Sequence, residues 1–187
     1  MAFRKKIDLQ LKRLDPSAVV PAYAHPGEDA ALDMVVTSVK YDKDLDAYIY
    51  GTGWACATDS QAAMLCFPRS SIYKTNFYLT NSVGVVDTKG YRGEIKAIFK
   101  HRDSLQVRCY LAALSMHEQN PGCSIQTLMN TAMDEFIKDP MKYAPYKVGE
   151  RAFQIILTKI DPVEVEVVDE LDMNTNRGIG GHGSTGK

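Results

Sequence analysis

The sequence predicts a mainly β protein, a barrel or jelly-roll, with one helical insertion at about residues 104–146. Two observations carry this. Short apolar or alternating runs recur along the chain, each bounded by Gly, Pro or Asp, in the manner of an all-β domain. One stretch breaks the habit: "SIQTLMNTAMDEFIKDP" places Ile125, Leu128, Met129, Ala132, Met133, Phe136 and Ile137 at helical spacing. With 187 residues, 45% of them apolar and 24% charged, the chain is long enough for one domain with a substantial core.

The elements follow in order. "KIDLQLKRL" alternates, with Ile7, Leu9 and Leu11 on one side, and reads as a half-buried strand. Pro16, Pro21, Pro26 and Gly27 then break the chain into a loop that leads to a strand at Leu32 to Thr37. "AYIYGTGWACA", "AAMLCF", "NFYLTNSVGVVD", "YRGEIKAIFK" and "AFQIILTKI" are further strand-like runs, and "VEVEVV" alternates strictly. Within the insertion, residues 104–117 form a first helix of ambiguous period and "NPGC" a turn. Ser124 N-caps the second helix, and Asp139-Pro140 stops it.

The formal net charge of -1 offers no global basic field for nucleic acid or for a membrane surface. No run approaches the length of a membrane span, and "MAFRKKIDLQ" lacks the apolar stretch of a signal peptide. Cys56, Cys66, Cys109 and Cys123 are dispersed without a C-x-x-C, which argues for a reduced, cytoplasmic chain and against zinc.

The last residues, "GHGSTGK", match G-x-x-x-x-G-K, and "GIGGHG" matches G-x-G-x-x-G. Either fingerprint works only where a glycine turn opens a helix whose N-terminus holds phosphate, and the sequence shows no helix after Lys187. The tail is instead expected to be a flexible arm over residues 177–187, appended to a single β domain of residues 1–176. Arg177 supplies a bidentate fork, Ser184 and Thr185 supply hydroxyls, and the glycines let backbone amides approach an anion.

Four further stretches stand in order before that arm: "PGEDAALDM" (26–34), "PRSS" (68–71), "NSVGVVDTKGYRGEI" (81–95) and "VGERAFQIIL" (148–157). Together with "RGIGGHGSTG" (177–186) they resemble the motif set of the homotrimeric dUTPases (deoxyuridine triphosphate nucleotidohydrolases), in the family's order. The resemblance implies a distorted jelly-roll and the hydrolysis of dUTP to dUMP and pyrophosphate by water attack on the α-phosphorus. It makes Asp87 the general base, sets the Tyr91 ring against the deoxyribose, and gives the uracil edge to Asn81 and the hairpin backbone around Gly84. Arg69, Ser70, Ser71 and Gln154 would hold the phosphates. His182, Gly183, Ser184, Thr185 and Arg177 would close over the nucleotide. Mg²⁺ would ride on phosphate oxygens and water, with Asp33 as the nearby acid. The assembly implied is a homotrimer whose sites are shared among subunits.

Three departures from that pattern stand out. "DTKGY" carries three residues between base and tyrosine, where the family usually has two; absorption of the extra one as a bulge at Gly90, with positive φ, is the expectation. His182 stands where a phenylalanine usually caps the uracil. The helical insertion replaces a short connection. Its apolar stripe is read as packing onto the β domain, with docking of a protein partner as the alternative. Two rival functions follow from the same resemblance: a dCTP deaminase relative, and a dUTPase-fold regulatory binding module.

Overall fold

The structure is a computed structural model that describes residues 6–58 and 61–171. Ten strands and two α-helices are built on it: β1 Gln10–Arg13, β2 Leu32–Val35, β3 Ser38–Asp42, β4 Ala47–Gly51, β5 Trp54–Ala57, β6 Ala62–Pro68, β7 Phe77–Leu79, β8 Gly84–Val86, β9 Lys96–His101, α1 Leu105–Gln119, α2 Ile125–Lys138 and β10 Arg151–Lys159. All pairings are antiparallel. One four-stranded sheet runs β2-β10-β6-β8, a second β3-β4-β9-β7, and β1 pairs with β5 alone. The two larger sheets enclose a single core of Met34, Val36, Tyr50, Met64, Phe99, Phe153 and Ile155, all at or near zero exposure. The architecture is the mainly β one that the strand pattern predicts, with two helices inserted between β9 and β10.

Several boundaries moved. β3 passes unread because "SVKYD" alternates only weakly around polar residues. "YRGE" is not strand: β9 begins at Lys96, and residues 87–95 form a turn and an irregular crossing. "VEVEVV" joins no sheet among the described residues, and Val163, Val165 and Val167 stand 82%, 85% and 93% exposed.

The insertion begins where expected. Ser104 and Ser124 each accept a hydrogen bond from the amide three residues on, at Val107 and Thr127, which satisfies an otherwise orphan donor of each first turn. The period of α1 was ambiguous because its buried face holds only the small residues Cys109 and Ala113, whereas α2 buries Leu128, Ala132 and Phe136. The stripe of α2 packs on the β domain. Phe136 meets Tyr41 edge-on at 5.2 Å, and the Arg108 guanidinium lies over the Phe136 ring at 5.0 Å. Arg108 also pairs with Asp46 at 2.6 Å, and the Tyr41 hydroxyl donates to the same carboxylate at 2.8 Å. The Tyr48 hydroxyl donates to the Pro140 carbonyl at 2.6 Å. Tyrosines of β3 and β4 thus bind both the helices and the segment that returns from them.

Candidate active site

The described candidate residues, Ser71 apart, gather in two clefts with no lining residue in common. The first, about 250 Å³, is lined by Asn81, Gly84, Asp87 and Tyr91 together with Cys66 and Glu94. The second, about 420 Å³, is lined by Asp33, Arg69, Ser70 and Gln154 together with His25 and Asp29.

The first cleft is a hairpin laid against a strand. Gly84 sits opposite Cys66 in the β6–β8 register. A Cβ at Gly84 would lie 3.1 Å from the Cys66 Cβ and 3.2 Å from the Asn81 side-chain nitrogen, so glycine there lets the Asn81 amide approach the strand. Ser82, at the tip, takes φ of 58°, a left-handed conformation that makes the turn tight. Burial pushes the Cys66 thiol up to about 12, so it forms a neutral floor.

Beyond β8 the chain turns at Asp87. The Asp87 carbonyl accepts from the Gly90 amide at 3.1 Å and from the Tyr91 amide at 2.8 Å. The extra residue before Tyr91 is therefore taken up by a wide turn. The expected bulge with positive φ at Gly90 is not formed, because Gly90 is not among the glycines with positive φ. Thr88, fully buried, pins the turn by donating to the Ala62 carbonyl at 2.6 Å. The Asp87 side chain is exposed, and among the described residues its carboxylate has no hydrogen-bond or ion-pair partner. Tyr91 folds back so that its hydroxyl donates to the Glu94 carbonyl at 3.0 Å. A Cβ at Gly93 would lie 2.4 Å from that hydroxyl, which is why the ring needs glycine beneath it.

The second cleft is set by strand register. β10 pairs Gln154 with Asp33 of β2 on one side and with Phe67 of β6 on the other, which brings Asp33, Gln154 and the end of β6 into one row. Arg69 follows β6, and Ser70 and Ser71 open a single 3-10 turn, Ser70–Lys74. Asp33 lies between two arginines: its Oδ1 is 3.3 Å from Arg69 Nε and its Oδ2 is 3.2 Å from Arg151 Nη1. Arg69 also donates to the Arg151 carbonyl at 3.3 Å. The Asp29 carboxyl is held below the usual range, chiefly by the hydrogen bond it accepts from the His25 amide. Arg177, His182, Gly183, Ser184 and Thr185 lie outside the described residues.

No protein-family model matches the chain. Individual relatives do. A deoxyuridine 5'-triphosphate nucleotidohydrolase of Nocardia farcinica is 32% identical over 179 residues, spanning 95% of this chain and 85% of that protein. Its counterpart in Rhodococcus erythropolis is 32% identical over 181 residues, spanning 96% and 87%. The chain belongs to the dUTPase family.

Solved dUTPases share its fold. That of Staphylococcus bacteriophage 80alpha, determined with dUpNHpp, superposes with a TM-score of 0.62 at 19% identity over 96% of this chain and 99% of that one. The dUTPase of phage phi11, described as carrying a species-specific insert, superposes with a TM-score of 0.56 at 15% identity, over 88% and 98%.

Within the dUTPase frame, three residues escaped the sequence reading. Arg151 stands in "VGERAFQIIL" with no feature to mark it, because its pairing with Asp33 depends on the β2–β10 register. Glu94 of "YRGEI" looks like an ordinary surface acid in sequence, yet its Oε1 accepts from the Gly53 amide at 2.8 Å and its Oε2 lies 3.3 Å from Lys96 Nζ. Tyr146, on the far side of the insertion, turns its buried hydroxyl toward Ser71 without a hydrogen bond of normal geometry. None of these carries a local signature, since Asp33, Gly53 and Ser71, the groups that place Arg151, Glu94 and Tyr146, are distant in sequence.

Among the described residues no group of three or more His, Cys, Asp or Glu side chains is placed to hold a metal ion. The acids of the second cleft are Asp33 and Asp29, and both Asp33 oxygens face arginines. With no protein cage among the described residues, a magnesium ion would have to be carried mainly by phosphate oxygens and water, the ligands it commonly keeps, with Asp33 and Asp29 as the acids of the cleft. Among the described residues no helix is long and apolar enough to cross a membrane.

Proposed function

We propose that the chain hydrolyses dUTP to dUMP and pyrophosphate, in a homotrimer of the cytoplasm, with each active site completed across subunits. The observation that carries this reading is the division of the site. The base-reading hairpin and Asp87 line one cleft, Arg69 and Gln154 line another, and neither is complete alone. A neighbour's phosphate cleft placed against this chain's hairpin would unite them. The exposed Val163, Val165 and Val167 support such an assembly, because apolar side chains bared this fully are normally covered by a partner.

In this reading the Asn81 amide and the backbone at Gly84 recognise the uracil edge, and Tyr91 lies against the deoxyribose. Asp87, exposed and unpartnered, orients and deprotonates the water that attacks the α-phosphorus; a placed base contributes roughly 10²–10⁴ in rate. Arg69, Ser70, Ser71 and Gln154 hold the phosphate chain in line, and charge neutralisation supplies most of the remaining acceleration. Arg177, His182, Gly183, Ser184 and Thr185 close from a third subunit. A magnesium ion held at the triphosphate with Asp33 nearby would supply charge neutralisation there.

Pyrophosphate release from dUTP, with ammonia release from dCTP as the control, tests the reaction. Co-refolding Asp87→Asn with Arg69→Ala chains tests the shared site. Mixed trimers regain part of the wild-type turnover if the two residues come from different subunits. A mixture as inactive as its parents sinks the shared-site reading.

A further inference from the structure

Tyr146 presents an unusual arrangement. The residue is 7% exposed, its ring packs edge-on against Tyr50 at 6.0 Å and Phe99 at 5.4 Å, and its backbone is held by the Tyr50 hydroxyl. Everything about it is fixed except its own hydroxyl, which is buried and faces the Ser71 side chain without making a hydrogen bond of normal geometry. Buried hydroxyls are seldom left this way, and each one calls for a reason. The groups that face it are Ser71 and Arg69 from the phosphate-binding turn and Glu150 from its own segment. Burial raises its pKa, so it stays a neutral donor.

Resting on the dUTPase reading, we propose that Tyr146 is a positioning residue for the phosphate subsite. Its hydroxyl closes a hydrogen bond with Ser71 when a phosphate chain occupies the Arg69–Ser70 turn. A side chain in the return segment of the helical insertion thereby sets the grip on the triphosphate. Ser71 sits at the start of a short 3-10 turn that has no side-chain cap, so its orientation is otherwise weakly held. Tyr146 comes from a segment anchored at Tyr48 and Tyr50, so it is a rigid point against which that turn can order. Tyrosine rather than phenylalanine is then needed for ligand grip and not for packing.

The test compares wild type, Tyr146→Phe, Ser71→Ala and the double variant by calorimetric binding of three probes with magnesium: the imido analogue of dUTP, dUMP and inorganic tripolyphosphate. One hydrogen bond of ordinary net strength corresponds to about a three- to tenfold change in Kd. Tyr146→Phe is expected to weaken the imido analogue and tripolyphosphate by that factor, to change dUMP less than twofold, and to add nothing to Ser71→Ala. In turnover, KM for dUTP rises while kcat holds. A loss for dUMP equal to that for the analogue, additive losses in the double variant, or a change below twofold for both polyphosphate probes overturns the proposal. Failure of the wild type to release pyrophosphate from dUTP would instead overturn the dUTPase reading. The tripolyphosphate arm still decides the role of Tyr146 in that case.

Discussion

One phenol serves both backbone groups of a single residue: the Tyr50 hydroxyl donates to the Tyr146 carbonyl at 3.0 Å and accepts from the Tyr146 amide at 3.1 Å. These residues are 96 apart in sequence, and the bonds join β4 to the chain just where it leaves the helical insertion. Tyr50→Phe leaves a buried donor and acceptor unpaired, each costing about 1–3 kcal/mol. Chemical denaturation of the variant should show a lower midpoint at an unchanged slope. An unshifted midpoint would mean that the return segment is held by something else.

Asp87→Asn should cut turnover by at least ~10²-fold while the variant still binds a non-hydrolysable dUTP analogue. The amide keeps the shape of the side chain and removes its basicity. Turnover near that of the wild type would sink the assignment of Asp87 as the base.

The wide turn before Tyr91 makes two nearby glycines unequal. Gly90→Ala should be nearly silent, since a Cβ there meets nothing within 4 Å. Gly93→Ala should raise KM, because its Cβ would displace the Tyr91 ring, which lines the first cleft and in the proposed function lies against the deoxyribose. Steady-state kinetics of the pair check this, and equal effects would mean that Tyr91 does not rest there with substrate bound.

Asp33→Asn tests the arginine clamp. Its side chain is only 12% exposed and touches both Arg69 and Arg151. Loss of charge-assisted bonds worth about 1.5–3 kcal/mol should free Arg69 and raise KM roughly tenfold or more. If KM stays constant, Arg69 holds its position without Asp33.

Alkaline pH should unfold the chain through its buried acids. The Cys66 thiol rises from an ordinary 9.0 to about 12, and the Tyr48 phenol from 10.0 to about 12, both chiefly by burial. A group whose folded pKa is raised adds stability below its unfolded pKa and loses it as pH climbs to the folded value. Unfolding free energy should therefore hold to about pH 9 and fall from there toward pH 12, with a shallower fall in Cys66→Ala. At pH 8 a thiol reagent should meet Cys123, the one partly exposed cysteine, before the three buried ones.

Local pattern carried most of the elements. Alternation and turn residues are properties of adjacent positions, so β2, β4, β6 and β10 could be read directly, as could the caps of α2. "VEVEVV" misled for the same reason. Its alternation is genuine, but a strand needs a partner, and none is offered by the described residues. "YRGE" misled because Tyr91 bonds back to Glu94, and a bond that short in sequence bends the chain away from a ladder.

The sequence by itself determined the chemistry on offer: a carboxylate at the end of "VGVVD", an arginine after β6, a glutamine on β10, and their order in a dUTPase. Those depend on which side chains exist and on motifs a few residues long. Only the tertiary structure decided how they are divided and steadied. Register placed Gln154 beside Asp33, folding put Arg151 across from Arg69, and the return of the insertion set Tyr146 behind Ser71. The residues so joined lie between 75 and 121 positions apart. No local pattern encodes a partner at that distance, because the energy that selects it comes from burying a shared core rather than from neighbouring residues.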